Sequence, residues 1–269
     1  MDLFSIIVLG LVQGITEWVP ISSKTQVTLV YLQFLNGSPS LVIPILLYSH
    51  LGTLFAASIY FRKEIKAIFE VILSDPFNYR TYTIGETGFL INALLFTGLA
   101  GLPILYIEKT TLPSLNGASI FVLMGIGLIL TGFLLFSQKK LQFRRSESVD
   151  WKDGVFTGLL QGLSTLPGVS RAGTTSTALI WRSFDSESAF QLSFLLSIPS
   201  VVMAEILFYL FSPTDNLPVM DGISLTISSF VFGYLSLDTI LYFVKRINIA
   251  YLAMLLGALI IIVAYFQYG

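Results

Sequence analysis

The sequence contains no cysteine and a single histidine, His50. Disulfide bonds, thiolate metal sites and cysteine nucleophiles are therefore excluded, and so is a zinc site built from several histidines. Charge is also scarce, because only 12% of the residues are charged and the net charge is −1. A soluble domain carries about 25% charged residues. A protein that binds nucleic acid needs a basic surface, which this chain lacks, so we expect no nucleic-acid partner.

Apolar residues are abundant instead, at 54% of the 269 residues, which indicates an integral membrane protein. The chain begins Met1-Asp2 without a basic stretch, so we expect no cleaved signal peptide. A helix that crosses a bilayer needs about 20 apolar residues. Six stretches meet that requirement and are predicted to be spans: 41–61, 88–107, 117–137, 189–211, 223–243 and 249–267.

Two further segments, 5–35 and 153–183, resemble each other and are interrupted at their centres by Pro, Gly and Ser. The stretch GLVQGITEWVPISS begins at Gly10, and the related stretch GLLQGLSTLPGVSR begins at Gly158. A straight span would place Glu17 or Arg171 in hydrocarbon, which is costly. Irregular backbone at membrane depth is tolerated only where protein encloses it or where it lines a cavity. Both segments are therefore predicted to be re-entrant helical hairpins that enter and leave on one side of the membrane.

The basic residues support this topology, because with two re-entrant hairpins they fall almost entirely on one side. Lys24 and Arg171 lie within the hairpins. Twelve of the other basic residues lie in loops on one side of the membrane: Arg62, Lys63, Lys66, Arg80, Lys139, Lys140, Arg144, Arg145, Lys152, Arg182, Lys245 and Arg246. Only Lys109 lies on the opposite side. Cytoplasmic loops are enriched in Lys and Arg, so these loops are predicted to be cytoplasmic and both termini to lie outside the plasma membrane.

The predicted fold is an all-α integral membrane protein with an inverted-topology repeat. Each half contributes one re-entrant hairpin and three transmembrane helices to a single membrane domain. Repeat one is placed at 1–145 and repeat two at 150–269. Inverted repeats with broken helices place binding sites near the middle of the membrane, where we expect the two hairpin tips to meet.

The tips carry the residues that are suited to chemistry. Tip one holds Gln13, Glu17, Ser22, Ser23, Lys24 and Gln26, and tip two holds Ser170, Arg171, Thr174 and Thr175. Hydroxyls, the start of a half-helix and a guanidinium all favour a phosphate group. In the alternative interpretation, the small residues serve helix packing and Glu17 pairs with Arg171 structurally. For an intramembrane carboxylate and arginine on paired broken helices, function is the better default.

These motifs resemble those of the undecaprenyl pyrophosphate phosphatase family of the bacitracin-resistance type. The run from Gln13 to Ser23 looks like that family's (E/Q)xxxE plus Pro-x-Ser-Ser signature. The run from Pro167 to Thr175 resembles its PGxSRSxxT motif, and Ser193 to Pro199 is similar to its SFLLAxP stretch. The resemblance covers nearly the whole chain.

The resemblance implies hydrolysis of a polyisoprenyl diphosphate lipid to the monophosphate, which recycles the lipid carrier for envelope glycans. It further implies a divalent cation, Mg²⁺ or Ca²⁺, held in part by Glu17, and a site that opens toward the outer leaflet. By position, Ser23 matches the proposed nucleophile, Glu17 the second acidic residue of the signature, and Arg171 the phosphate-binding arginine. Whether the carrier is undecaprenyl or of the dolichyl type stays open, as does a homodimer. The residues expected to contact the substrate are Gln13, Ser22, Lys24, Gln26, Ser170, Thr174 and Thr175.

The chain departs from the family pattern at Gln26, where the family has a histidine. Glutamine forms hydrogen bonds but does not carry protons. His50, midway along the first span, is either a structural residue or the replacement proton carrier. Lys24 is another departure: it either contacts phosphate or lowers the pKa of the nucleophile beside it, or else it extends to the outer surface. A transporter or flippase of lipid phosphates, and a protein that only sequesters the lipid, remain alternatives.

Overall fold

The computed structural model describes residues 1–111, 117–138, 143–211, 217–244 and 249–268, which are mostly helical. The first half contains α1 (Leu3–Thr16), α2 (Ser23–Leu29), α3 (Val42–Tyr60), α4 (Arg62–Ser74), α5 (Gly85–Thr111) and α6 (Gly117–Phe136). The second half contains α7 (Trp151–Gly162), α8 (Arg171–Trp181), α9 (Ser186–Phe211), α10 (Val219–Val244) and α11 (Ile249–Tyr268). Short turns of other helix types join them, such as Val30–Phe34 and Leu163–Thr165.

Six helical stretches are long and apolar enough to cross a membrane, and each coincides with a predicted span. They are Pro39–Tyr60, Gly85–Thr111, Gly117–Phe136, Ser186–Leu207, Val219–Phe243 and Ile249–Phe266. The prediction of an all-α, multi-pass membrane protein with six long apolar helices is confirmed. The basic residues Lys139, Lys140, Lys245 and Arg246, which were assigned to cytoplasmic loops, lie outside the described residues.

Both related segments are interrupted helices, as their Pro and Gly content predicts. In the first, α1 ends at Thr16 and α2 begins at Ser23. In the second, α7 ends at Gly162, and α8 begins at Arg171 after a short 3₁₀ turn. The two arms of each segment contact each other, α1 with α2 and α7 with α8. The interruptions therefore expose backbone and polar side chains inside the helix bundle.

The two halves interleave, because the first arm of each interrupted segment packs against a long helix of the other half. Helix α1 packs on α10, α7 packs on α5, and α6 packs on α11. Glycines permit the close approach: a Cβ on Gly14 would lie 2.5 Å from the backbone N of Gly233, and one on Gly158 would lie 2.3 Å from the carbonyl O of Ala93. Both distances are shorter than any real Cβ contact, so neither glycine tolerates a side chain without movement of its partner helix.

A buried ion cluster fastens the ends of the second interrupted segment. The side chain of Asp153, at the start of α7, is 0% exposed and accepts hydrogen bonds from Arg144 at 2.7 and 2.8 Å. Arg182, just after α8, donates to the same carboxylate at 2.7 Å. A buried carboxylate of this kind is stable only with such partners. The cluster therefore holds the two ends of the segment together at one face of the bundle.

Candidate active site

The first interruption presents Glu17 and Ser23 at the centre of the bundle. Trp18, which is 1% exposed, packs on Phe194 and donates its indole N–H to the carbonyl O of Gly233 at 3.0 Å. This anchor fixes the backbone on one side of Glu17. On the other side of the break, Ser22 precedes α2 with φ 60°, a left-handed conformation that a non-glycine residue seldom adopts. Such backbone strain costs about 1–3 kcal/mol and is concentrated at functional sites.

The second interruption presents the N-terminus of α8. Gly168 has φ +85°, and a Cβ there would lie 1.9 Å from the carbonyl O of Met124, so only glycine fits. Ser170 caps α8 by accepting a hydrogen bond from the backbone N–H of Gly173 at 3.2 Å. Its own N–H donates to the Thr131 hydroxyl at 3.0 Å. The turn and the cap together aim Arg171, the first residue of α8, toward the first interruption.

The Glu17 carboxylate is the hub at which the two interruptions meet. Arg171 Nη2 donates to Glu17 Oε1 at 2.7 Å, and Ser23 Oγ donates to Glu17 Oε2 at 2.5 Å. Gln13 Nε2 donates to the same Oε2 at 3.0 Å. Glu17 is 8% exposed, so this charge is largely withdrawn from solvent and depends on these donors. The structure thus brings together the three residues that were predicted to carry the chemistry.

His50 of α3 also faces this hub. Its Nε2 lies 3.5 Å from Glu17 Oε2, and its Nδ1 lies 2.7 Å from the carbonyl O of Leu46. A carbonyl oxygen only accepts hydrogen bonds, so Nδ1 carries a hydrogen and Nε2 is the nitrogen turned toward the carboxylate. The side chain of His50 is 14% exposed. At 3.5 Å the two atoms are slightly farther apart than in a direct hydrogen bond, so a proton would pass between them after a small closure or through one water.

The guanidinium of Arg171 is held at a second point. Nη1 donates to the carbonyl O of Ser193 at 3.2 Å. A guanidinium has five N–H donors, so donors remain for a phosphate after the bonds to Glu17 and Ser193 are made. The Ser193 hydroxyl forms a short hydrogen bond with that of Thr175. Helix α9 therefore positions Arg171, and the sheltered side-chain network continues into α8.

The other predicted site residues surround this hub in different ways. Lys24 Nζ donates to the carbonyl O of Ser164 at 3.2 Å and so links the first segment to the turn before Pro167. Gln26 Nε2 donates to the carbonyl O of Ile21 at 3.0 Å, across the first break. Gln26 thus braces the interruption, whereas no described hydrogen bond joins it to Glu17.

The hydroxyls of the two tips are engaged within their own turns. Those of Thr174 and Thr175 each donate to the carbonyl O of Arg171 at 2.9 Å, and both residues are 0% exposed. The Ser22 hydroxyl accepts a hydrogen bond from Thr25 at 3.1 Å. These groups shape the tips. Because a hydroxyl has one hydrogen to donate, Thr174 and Thr175 have used theirs within the turn, whereas the Ser22 hydroxyl, which accepts from Thr25, keeps its own.

Two polar contacts of the site were not predicted from the sequence. Thr53, on α3, accepts a hydrogen bond from Gln13 at 3.4 Å, and Ser193 holds Arg171 and Thr175. Thr53 lies one helical turn after His50 and therefore on the same face of an apolar span. That spacing is the sequence pattern from which Thr53 could have been predicted as a site residue. Ser193 begins the SFLL stretch, which was recognised only as a family motif.

A divalent cation such as Mg²⁺ or Ca²⁺ requires oxygen ligands, and Gln13 and Glu17 carry such oxygens. The Oε1 of Gln13 is buried without a hydrogen-bond partner among the described residues, and the Nε2 of the same amide donates to the Glu17 carboxylate. The amide oxygen and the carboxylate are the hard oxygen ligands that Mg²⁺ and Ca²⁺ prefer. The described residues contain no group of three or more His, Asp or Glu side chains that could hold an ion alone. The residues present therefore fit an ion that takes its other ligands from water and from a phosphate.

Taken together, the fold and this hub define a multi-pass membrane protein whose charged centre is assembled from two interrupted helical segments. The chain belongs to the bacitracin resistance protein BacA family, whose family model matches residues 6–262. The family resemblance inferred from the sequence motifs is thus confirmed.

Curated relatives match over nearly their full length. A protein of Methanococcoides burtonii named undecaprenyl-diphosphatase is 35% identical over 275 residues, covering 96% of this chain and 97% of the relative. Proteins with the same name from Saccharolobus solfataricus and Haloarcula marismortui are 36% and 35% identical. They cover 95% and 90% of this chain, and 93% and 89% of their own lengths.

The Glu17–Arg171 pair can be tested by its effect on stability. Arg171→Ala leaves a buried carboxylate without its cation, which costs about 3–5 kcal/mol. In the double variant Glu17→Gln/Arg171→Ala no buried charge is left unpaired, so we expect most of that stability to return. Thermal unfolding of the purified protein in detergent measures both. Arg145→Ala, at an exposed arginine, is the matched control and should change stability by less than about 0.5 kcal/mol. Equal losses in the single and double variants would contradict the ion pair.

Proposed function

We propose that this chain is an undecaprenyl-diphosphate phosphatase, which hydrolyses a polyisoprenyl diphosphate to the lipid monophosphate and inorganic phosphate. Membership of the BacA family and the names of its relatives support this proposal. The main observation behind this proposal is the arrangement at Glu17. One carboxylate oxygen accepts a hydrogen bond from the Ser23 hydroxyl, and the other accepts one from Arg171. A hydroxyl that is hydrogen-bonded to a carboxylate is activated as a nucleophile, because the carboxylate can take its proton. The fixed guanidinium beside it is a group that binds phosphate.

In the proposed mechanism, Glu17 acts as the base and Ser23 as the attacking group. Glu17 Oε2 takes the proton from Ser23 Oγ while Oγ forms a bond to the terminal phosphorus. The bond from that phosphorus to the bridging oxygen breaks, and its electron pair leaves with the lipid monophosphate. Water then releases inorganic phosphate from Ser23. If Ser23 instead orients a water, Glu17 receives the proton of that water and phosphate is released in one step.

Arg171 and the residues around it would bind the diphosphate. The guanidinium donors left over from Glu17 and Ser193 would hold the terminal phosphate as charge develops on it. Lys24 adds a second cation at the rim, and the amides at the start of α8 add the positive end of a helix dipole. The hydroxyls of Ser22 and Ser170 and the amide of Gln26 complete the proposed binding set. Thr174 and Thr175, whose hydroxyl hydrogens go to the carbonyl O of Arg171, would support the turn that presents Arg171, and Gln13 would take part through its Oε1.

A divalent cation, Mg²⁺ or Ca²⁺, is part of the proposal. Glu17 and the unpartnered Oε1 of Gln13 would hold it. When bound, such an ion neutralises phosphate charge in the transition state. Because Gln13 is uncharged, Glu17 is the one anionic protein ligand in this set.

His50 is proposed as the proton carrier that the family places at the position of Gln26. Its Nε2 faces Glu17 Oε2, the oxygen that would receive the Ser23 proton. Gln26 braces the break instead. His50 would pass the proton from Glu17 onward and restore the base for the next turnover.

The proposed membrane topology is an inverted repeat, with repeat one at 1–145 and repeat two at 150–269. Both interrupted segments would be re-entrant hairpins, and both termini would lie outside. Two observations support this. The basic residues fall on one side under this topology. The halves also exchange equivalent contacts, since α1 packs on α10 and α7 on α5, each through a glycine-bearing face. The site would open toward the outer leaflet, and the proposal leaves open whether the chain forms a homodimer.

Phosphate release tests the activity directly. Purified protein with farnesyl diphosphate or a longer isoprenyl diphosphate should release inorganic phosphate in the presence of Mg²⁺ or Ca²⁺. Ser23→Ala, Glu17→Gln and Arg171→Ala should each reduce the rate by at least about 10²-fold, because each removes a group that acts in the transition state. Ser58→Ala, whose hydroxyl bonds only its own helix at Leu54, is the control. Binding without release under any metal condition, with movement of labelled lipid between leaflets, would favour a flippase.

The role of His50 is tested by His50→Gln, which keeps an uncharged hydrogen-bonding side chain of similar length beside Glu17. We expect slower phosphate release, by about 10²-fold, and a changed pH dependence of the rate, because the amide does not exchange protons. Ser49→Ala alters the neighbouring buried hydroxyl and should leave the pH profile in place. An unchanged rate and profile in His50→Gln would assign His50 a structural role.

The absence of cysteine makes the topology accessible to single-cysteine labelling. With an impermeant maleimide on intact cells, Ser38→Cys should react from outside, on the same side as an N-terminal tag. Ser148→Cys and Glu187→Cys, which flank the second interrupted segment, should react only after the membrane is permeabilised. All three positions are exposed in the structure. Opposite sides for 148 and 187, or for 38 and the N-terminus, would show that the intervening segment crosses the membrane.

A further inference from the structure

Helix α4 lies outside the six long apolar helices, yet both of its neighbours belong to them. It starts at Arg62, directly after the break at Phe61 that ends α3, and the next long helix, α5, starts at Gly85. Residues 62–84 thus leave the apolar bundle and return to it at the same face. With 13 residues α4 is about 20 Å long, too short to cross a bilayer. Because the ends of spans lie at the membrane surface, α4 is confined to that surface.

Helix α4 has an apolar side of which only a part packs against the rest of the protein. Ile65 and Ile68 pack against the core cluster that also contains Trp18. Phe69 and Leu73 continue the same stripe at helical spacing, but they are 59% and 77% exposed. Just after the helix, Phe77 is 97% exposed. Helix α4 has no fully buried residue, so its apolar stripe is shared between the bundle and something outside it.

Basic side chains border the exposed apolar stripe. Arg62, Lys63 and Lys66 lie on the exposed surface of α4, and Arg80 follows Phe77 in the chain. Acidic residues are fewer on this surface. Glu70 is exposed and pairs with Lys66 at 3.6 Å, and the exposed Asp75 accepts a hydrogen bond from Asn78 at 2.7 Å, whereas Glu64 lines a cavity beside Tyr60 and Gln191. The outward surface therefore combines bulky apolar groups with an excess of basic over acidic side chains.

We propose that residues 62–80 form a docking surface for the anionic phospholipids of the leaflet on the basic side of the membrane. Phe69, Leu73 and Phe77 insert among the headgroups, while Lys63, Lys66 and Arg80 bind the headgroup phosphates. Helices with an apolar face and flanking Lys and Arg lie in the plane of the interface in this way. The occupant is a lipid surface rather than a protein, because α4 follows the membrane-crossing helix α3 after a single residue, Phe61, and so begins at the level of the membrane surface.

Lipid contact can be measured in the otherwise cysteine-free chain. Phe69→Cys and Leu73→Cys are labelled with a small fluorophore, and Ala67→Cys and Ser74→Cys, two exposed positions that share the other face of α4, are the matched controls. The protein is reconstituted in vesicles that contain phosphatidylglycerol. Labels at 69 and 73 should be quenched several-fold more by a lipid-borne quencher than by aqueous iodide, and labels at 67 and 74 should show the reverse. Equal quenching of the four labels would overturn the proposal. So would labels at 69 and 73 that are shielded from iodide to the same extent in detergent and in lipid vesicles, because the shielding would then come from the protein.

The charge component is tested separately. Quenching of the label at position 73 by the lipid-borne quencher should fall in phosphatidylcholine vesicles, in high salt, and in the Lys63→Gln/Lys66→Gln variant. Lys109→Gln, at the far end of α5, removes a charge elsewhere and should leave the quenching in place. Quenching that is the same in anionic and neutral vesicles would overturn recognition of anionic headgroups. None of these readouts depends on phosphatase activity, so the proposal stands or fails independently of the function.

Discussion

The hydrogen-bonded ion pair between Glu17 and Arg171 is the interaction on which the rest of the structure depends. It joins two segments that are far apart in the chain, and it explains why both are interrupted. A continuous helix satisfies its own backbone along its whole length, whereas the two breaks place Glu17 at the end of α1 and Arg171 at the start of α8, where the ends of the two helices meet. Each ion also needs the other, because a carboxylate or a guanidinium alone in this environment would be very unfavourable.

The features around the pair are consistent with a requirement for rigidity. Trp18 fixes the backbone beside Glu17 through the carbonyl O of Gly233, and Ser193 fixes the guanidinium of Arg171. The buried Asp153 cluster closes the second segment at its far end. A site for phosphoryl transfer works largely through the positions of its groups, so such supports matter as much as the groups themselves.

Much of this architecture could be predicted from the sequence, for reasons that differ from one feature to another. The six long helices follow from hydropathy alone, and the two interruptions follow from Pro20, Pro167 and Gly168 within repeated apolar stretches. The meeting of Glu17 with Arg171 was a conditional inference, since no local pattern specifies a contact between two distant segments. The roles of Thr53 and Ser193 were missed because single hydroxyls in apolar helices usually bond their own backbone. Gln26 illustrates the opposite case, in which a motif position is present but its side chain braces the turn.

The glycine faces of α1 and α7 have a consequence for how the protein is made. Helix α1 emerges first during synthesis, but the helix it packs on through Gly14, α10, is among the last to be made. Arg171 is also made later than Glu17. Before it is made, the Glu17 carboxylate has its first-half donors Ser23 and Gln13 but lacks the guanidinium. The packing of α1 and the charge balance of Glu17 are therefore both completed by the second half of the chain, and a chain that ends before α8 leaves the buried carboxylate without Arg171.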